Sequence, residues 1–363
     1  MSRTLTQLML SSFFLMILTA PVRATDIPTR GEIENLRQRI ERLEGKGEED
    51  RLGISNIPKY LAFWGAIEAE ASYSQIEGGE DSSDFVLATA LLGLDLEFAE
   101  YVGGHLVFLY EEGDTEPIEV AEANITIFKP FAGESRAGMV AGKMYFPFGH
   151  FNSAMISDPL TLEIGETNDA GLMLVLETDL VKMHVGAFNG EADTVDDHDN
   201  IDSVFASVAL SPIENMVMGA SYISDLAESD AGLVDSAVTA YESNIPAWSA
   251  YVEMVLGPLT FDVEHVEVME SFNPGAVGQG ADLTGPSPKV SFVELGLVPG
   301  DSHGYALRYE KAHNYMDDIS RYGGTVSYSM FDNTVLSLEY LLTDPKAEGS
   351  ITHTVTCQLA VQF

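Results

Sequence analysis

From residue 60 to the C-terminus, apolar and polar residues alternate with a period of two. Leu61, Phe63, Gly65, Ile67, Ala69, Ala71 and Tyr73 fall on one face, and Glu68, Glu70 and Ser72 on the other. The next segment repeats this, with Val86, Ala88, Ala90, Leu92, Leu94, Leu96 and Phe98 against Thr89, Asp95 and Glu97. Successive side chains of a strand point to opposite sides, so each segment is a strand with an apolar and a polar face. Alternation sustained over about ten residues fits a tilted membrane strand and exceeds the soluble norm of about five or six.

The pattern predicts further strands near 102–110, 120–128, 137–146, 170–177, 181–189, 202–210, 216–224, 246–256, 259–269, 289–298, 303–311, 321–330, 334–342 and 351–363, about sixteen in all. An even count is what a closed antiparallel barrel needs when both chain ends lie on one side. The connections divide into two classes. Residues 99–101, 178–180, 212–215, 257–258, 299–302 and 332–333 make tight turns, with 129–136 somewhat longer. They alternate with long segments at 75–84, 111–119, 147–169, 190–201, 225–245, 270–288 and 312–320. Short turns at one end and long loops at the other are the asymmetry of an outer-membrane barrel. The expected fold is all-β and transmembrane: a barrel of about sixteen antiparallel strands over residues 59–363, in the outer membrane of a bacterial cell.

The N-terminus has a different pattern. Arg3 precedes an apolar stretch from Leu8 to Leu18, and Val22-Arg23-Ala24 carries small residues at cleavage spacing, so residues 1–24 read as a signal peptide. Residues 25–58 form an expected periplasmic linker. Within it Thr29 and Glu32 make a capping box, and Ile33, Leu36, Ile40 and Leu43 recur at heptad spacing until Gly45 and Gly47. Two heptads are marginal alone, so this short coiled-coil helix needs partners, either sister subunits of a homo-oligomer or the mouth of the barrel. At the other end, Ile351, His353, Val355, Cys357, Leu359, Val361 and Phe363 share one face. A terminal aromatic on such a strand resembles the assembly signal of outer-membrane proteins, which makes the barrel assembly machinery and outer-membrane lipid expected partners.

No segment after the signal offers the roughly 18 continuous apolar residues of a membrane helix. The single Cys357 rules out a disulfide framework. The 57 Asp and Glu against 18 Lys and Arg give a net charge of −39, which disfavours nucleic acid. That acid must have a place in the fold. Glu68, Glu70, Asp95, Glu97, Glu122, Glu177, Glu253, Asp262, Glu264, Glu294, Glu310 and Glu339 fall on, or near the end of, a polar strand face. An ionised carboxylate against lipid is costly, so these are expected to line the lumen, joined by Arg308 and by Lys143 and Lys182 as the few cationic candidates. Acid lining a confined aqueous channel attracts cations and repels anions; the plainer alternative is that these groups are simply solvated.

Segment 147–169 is too apolar for a free loop, since Phe146-Pro147-Phe148-Gly149 is followed by Phe151. It is expected to fold into the lumen as a constriction carrying Phe148, Phe151, Asp158, Glu163 and Glu166, or else to pack outside the wall or on a neighbouring subunit. The acidic run Glu191, Asp193, Asp196, Asp197, His198 and Asp199 lacks the glycine and closing glutamate of a calcium loop, so no metal or cofactor is expected. His265 and His353 read as interfacial or wall residues. No G-x-S-x-G elbow occurs, and the two-residue spacing of Glu68 with Glu70 or Asp262 with Glu264 is that of one strand face rather than of a glycosidase pair. An enzyme is not expected. The expected function is passive passage of small solutes; the alternative is a structural or adhesive barrel without a conducting pore.

The run Gly142-Lys143-Met144-Tyr145-Phe146-Pro147-Phe148-Gly149, followed by Ser157-Asp158-Pro159-Leu160-Thr161-Leu162 and by 163–167, resembles the LbtU-like siderophore porin family. The layout of signal, short coiled coil and barrel ending in Phe resembles it too. The resemblance implies an outer-membrane barrel for uptake of an iron chelate, with a ferric polycarboxylate siderophore as cargo. A lumen rich in carboxylates would repel such an anion unless iron neutralised it. A plugged barrel of about 22 strands is excluded by chain length.

Overall fold

The computed structural model describes residues 60–363 except 114–116, 134, 191, 193–199, 235–242, 278–281, 301 and 347–348. The expected signal peptide, the heptad helix and most of the acidic run at 191–199 lie outside the described residues.

Sixteen strands follow in chain order: β1 (Tyr60–Ile76), β2 (Ser82–Ala99), β3 (Val102–Tyr110), β4 (Glu119–Ala132), β5 (Ser135–Tyr145), β6 (Asn168–Glu177), β7 (Val181–Phe188), β8 (Ser203–Ile213), β9 (Met216–Ile223), β10 (Ala247–Leu256), β11 (Leu259–Val268), β12 (Lys289–Leu297), β13 (His303–His313), β14 (Ser320–Phe331), β15 (Thr334–Asp344) and β16 (Thr352–Gln362). Each pairs antiparallel with its neighbours in sequence, and β1 pairs with β16, so the sheet closes and has no edge. One short helix, α1 (Leu160–Gly165), lies between β5 and β6. Among the described residues no helix is long and apolar enough to cross a membrane.

The seam is made by the chain end. Phe363 N–H donates to Gly65 O at 3.1 Å, and Gly65 N–H donates to Phe363 O at 2.9 Å. Gly65 is required there: a Cβ would stand 2.7 Å from Cζ of the Phe363 ring. The outer face is apolar and exposed, with Phe63 62%, Leu295 47% and Leu307 65% accessible. A closed barrel with such a belt buries its wall in lipid and satisfies every ladder amide internally, which is the architecture of an outer-membrane barrel.

Three expectations change. Val86, expected on the apolar face with Leu92, stands across from Glu70 on the inner face, because the register slips by one residue between Glu68 and Ala69. The connection at 129–136 is a tight turn, because β4 runs to Ala132 and β5 starts at Ser135, with a register irregularity between Pro130 and Ala132. A bulge is where a strand tolerates proline. Lys143 pairs with Ala123 and Ala170 and shares a face with exposed Tyr145, so it lies on the outer wall and not in the lumen. Its position two residues from the end of β5 lets the long side chain reach the polar interface.

Candidate functional site

Following the register from strand to strand assigns the faces. Glu68, Glu70, Asp95, Glu97, Glu122 and Glu177 stand opposite Thr89, Val86, His105, Gly103, Val107 and Arg136 respectively. Glu253 pairs with Asp262, Asp262 with Glu294, and Glu294 with Arg308, while Glu310 pairs with Phe292 and Glu339 with Thr325. All of these share the inner face, opposite to Phe63, Leu295 and Leu307. Lys182 is inward too, beside Glu177.

Residues 146–167 run along this inner face as a strap. The entry is fixed by apolar packing: Phe146 stacks on Phe205 at 4.5 Å and meets Phe188 at 4.5 Å, and Phe148 is 1% exposed. Gly149, at φ 86°, turns the chain where a Cβ would stand 2.3 Å from the Phe151 ring. Beyond it the backbone has no sheet to join, and its amides take acceptors from the wall. His150 N and Phe151 N donate to Glu264 at 2.6 and 2.9 Å, and Thr161 Oγ1 donates to the same carboxylate at 3.1 Å. Ala154 N and Ser153 Oγ donate to Glu294 at 2.8 and 2.7 Å. Ile156 N donates to Glu339 at 2.6 Å, and Leu160 N to Glu310 at 2.7 Å. Arg308 bridges wall and strap. Its Nη1 donates to Ser153 Oγ and Ser157 O at 2.7 and 2.9 Å, while its Nε stands 3.1 Å from Glu310. α1 then lies over β11, β12 and β13.

Glu264, Glu294, Arg308, Glu310 and Glu339 were expected to meet channel water. They face inward but are at most 3% exposed, because the strap covers them and uses them as hydrogen-bond acceptors and as its cationic clamp. The remaining constriction residues also differ in their placement. Phe148 is buried, Glu163 pairs with Arg321 at 2.6 Å, and Tyr315 OH donates to Glu163 O at 3.2 Å. Asp158 is held above the usual carboxylate range by burial first and by repulsion from Glu163 next, with Arg308 opposing and Glu68 and Glu339 adding to it. Burial, then repulsion from Asp230, Asp158 and Glu111, pushes Glu166 up to about 7.

The strap's contacts run from β7 and β8, at Phe146, round to β15, at Glu339, and the acids of β1, β2 and β4 make no hydrogen bond to it among the described residues. There Gln358 Nε2 donates to Glu70 at 2.8 Å, and His105 lies between Asp95 at 2.7 Å and Glu122 at 3.7 Å. On β10, Glu253 takes His150 Nε2 at 2.7 Å and Asn152 Nδ2 at 2.9 Å. At the turn end of the wall Arg136 pairs with Glu177. Sequence patterning did not single out His150, Ser153, Ser157 or Trp64. Among the described residues no group of three or more His, Cys, Asp and Glu is arranged to hold a metal ion.

No family model matches the chain. The UPF0422 protein of Coxiella burnetii is 22% identical over 264 residues, which are 68% of this chain and 55% of that protein, so the chain spans about half the length of this curated relative. Among solved structures, OprB of Pseudomonas putida at high pH is similar with a TM-score of 0.62 and 10% identity, covering 84% of this chain and 94% of that one. An anion-selective porin from Comamonas acidovorans is similar with a TM-score of 0.61 and 10% identity over 84% and 99% of the respective chains. At such identities the likeness is one of fold, and that fold is the outer-membrane porin barrel.

Proposed function

We propose that the chain is a porin-type channel that admits small solutes by diffusion and prefers cations. The observation that carries this is the charge left uncovered by the strap. Glu68, Glu70, Asp95, Glu97 and Glu122 share the inner face of β1, β2 and β4, with His105 of β3 the one basic side chain beside them. Arg308 and Arg321 do not offset them, because each is already paired with an acid of the wall or strap. In a narrow water-filled passage such acid raises the local concentration of cations. Fold likeness does not decide the sign of the preference, since a porin of the same fold is anion-selective. In this reading the chain is a conduit and not an enzyme.

Uptake of a ferric siderophore, implied by the resemblance at 142–167, is a separate proposal. Those residues form the strap and its approach, so they shape the passage that any chelate would have to clear. The reversal potential of the reconstituted protein under a potassium chloride gradient tests the cation preference. Flux of a ferric polycarboxylate chelate into proteoliposomes tests the cargo, and exclusion of the chelate with potassium still passing would remove the siderophore and leave the channel.

A further inference from the structure

Four inward-facing aromatic residues stand directly across from glycine on a neighbouring strand: Phe128 with Gly138, Phe205 with Gly186, Tyr251 with Gly219 and Trp64 with Gly93. In each pair the ring lies over the glycine. A Cβ on Gly93 would stand 2.1 Å from Trp64 Cε2, and one on Gly219 would stand 2.5 Å from Tyr251 Cε1. One face of each ring therefore rests on the wall and the other is turned to the lumen. Three of those faces are occupied from within the chain. Arg136 sets its guanidinium 4.6 Å above the Phe128 ring, and Phe146 stacks on Phe205 at 4.5 Å. His150 stacks on Tyr251 at 4.2 Å and 5°, with its Nε2 on Glu253 at 2.7 Å.

Trp64 has the largest π face of the four; it packs beside the small buried cluster Val107, Leu109 and Ala121 and stays only part-buried. Among the described residues its ring neighbour is His105, at 5.9 Å between ring centroids, farther than the 4.2–4.6 Å at which the other three rings are covered. His105 is itself shared by Asp95 and Glu122, two carboxylates for one imidazole, so the platform is bordered by surplus negative charge. We propose that Trp64 with Asp95 and Glu122 is a solute subsite on the channel wall, which takes organic cations of planar, delocalised charge such as amidinium or guanidinium groups. The chain's own Arg136 on Phe128 and His150 on Tyr251 show the mode: a flat nitrogen-bearing group on the ring, with its N–H groups directed to an acid of the same wall. The inference rests on the channel reading.

The test records potassium current through full-length protein in a planar bilayer while benzamidinium is added, with neutral benzamide as the control of equal shape. Benzamidinium is expected to block the current and benzamide to leave it. A cation–π contact of about 1–2 kcal/mol corresponds to a half-block concentration roughly 5- to 30-fold higher in Trp64→Ala. Trp64→Phe, which keeps a smaller platform, should fall between, and decides the matter if the alanine variant does not insert. Asp95→Asn with Glu122→Gln should weaken block, whereas Trp248→Ala, on the outer face, should leave it at the wild-type value. Equal block in wild type and Trp64 variants, equal block by benzamide, or no block by benzamidinium overturns the subsite. Absence of any potassium current would instead overturn the channel reading itself.

Discussion

Replacing Glu264 with alanine removes the acceptor of three donors at once: His150 N, Phe151 N and Thr161 Oγ1. A buried donor left without a partner costs about 1–3 kcal/mol, so the gross loss is about 3–9 kcal/mol. Against this, the variant no longer keeps a carboxylate that is 1% exposed away from water, which returns several kcal/mol. The net is about 2–5 kcal/mol, applied to the entry of the strap and not to the barrel ladder. Local release is the expected outcome, because the sheet closes without the strap. Amide hydrogen exchange across 149–161 should accelerate by about 30-fold or more, while strand amides stay protected, and the open-channel current should become noisier. Glu264→Gln keeps one acceptor oxygen and should lie between. Unchanged exchange at His150 and Phe151 in the alanine variant would refute the claim that wall carboxylates hold the strap.

Three further outcomes follow from the same geometry. Deleting 151–162 removes the strap and exposes Glu264, Glu294, Glu310 and Glu339, so single-channel conductance should rise and cation preference sharpen; unchanged conductance would mean the strap does not narrow the passage. Glu166 is raised from an ordinary 4.5 to about 7, so the folded state holds its proton more tightly than the unfolded state. Its contribution is complete below about 4.5 and is lost as pH rises through 7, so Glu166→Gln should flatten the fall in thermal midpoint over that window, and a parallel pH profile would count against it. Phe363→Ala strips the ring from Gly65 at the closing seam, and heat-modifiable mobility on gels should show a smaller folded fraction; full folding would show that the seam's backbone bonds suffice.

Much of the barrel was legible because a strand's two-residue period converts directly into faces. All sixteen strands lie where the alternation placed them, and the acids from Glu68 to Glu339 share one side. Which of those acids meet water was not legible, because it depends on a chain segment more than 100 residues away in sequence, as with Phe151 on Glu264. A signal for the strap was nevertheless present on the wall. Val266, Val268, Val290, Phe292 and Ala312 are inward positions with apolar side chains, which a water-filled lumen does not explain. They make sense once the apolar strap residues Phe148, Leu160 and Ile164 pack into the same inner space. The period places Trp64 on the polar face with Glu68 and Glu70, but that its ring lies over Gly93 depends on the pairing register of β1 with β2.

We propose that the acid on β1, β2 and β4 gives this barrel its preference for cations. The most direct measurement is the reversal potential under a tenfold potassium chloride gradient, for the wild type and for Glu68→Gln, Glu70→Gln, Asp95→Asn and Glu122→Gln combined. An ideally selective channel would give about 59 mV of the sign set by the permeant ion. The wild type should lie well toward the cation limit and the combined variant close to zero. A wild-type value near zero or of anion sign, or a variant indistinguishable from the wild type, would show that these carboxylates do not set the selectivity.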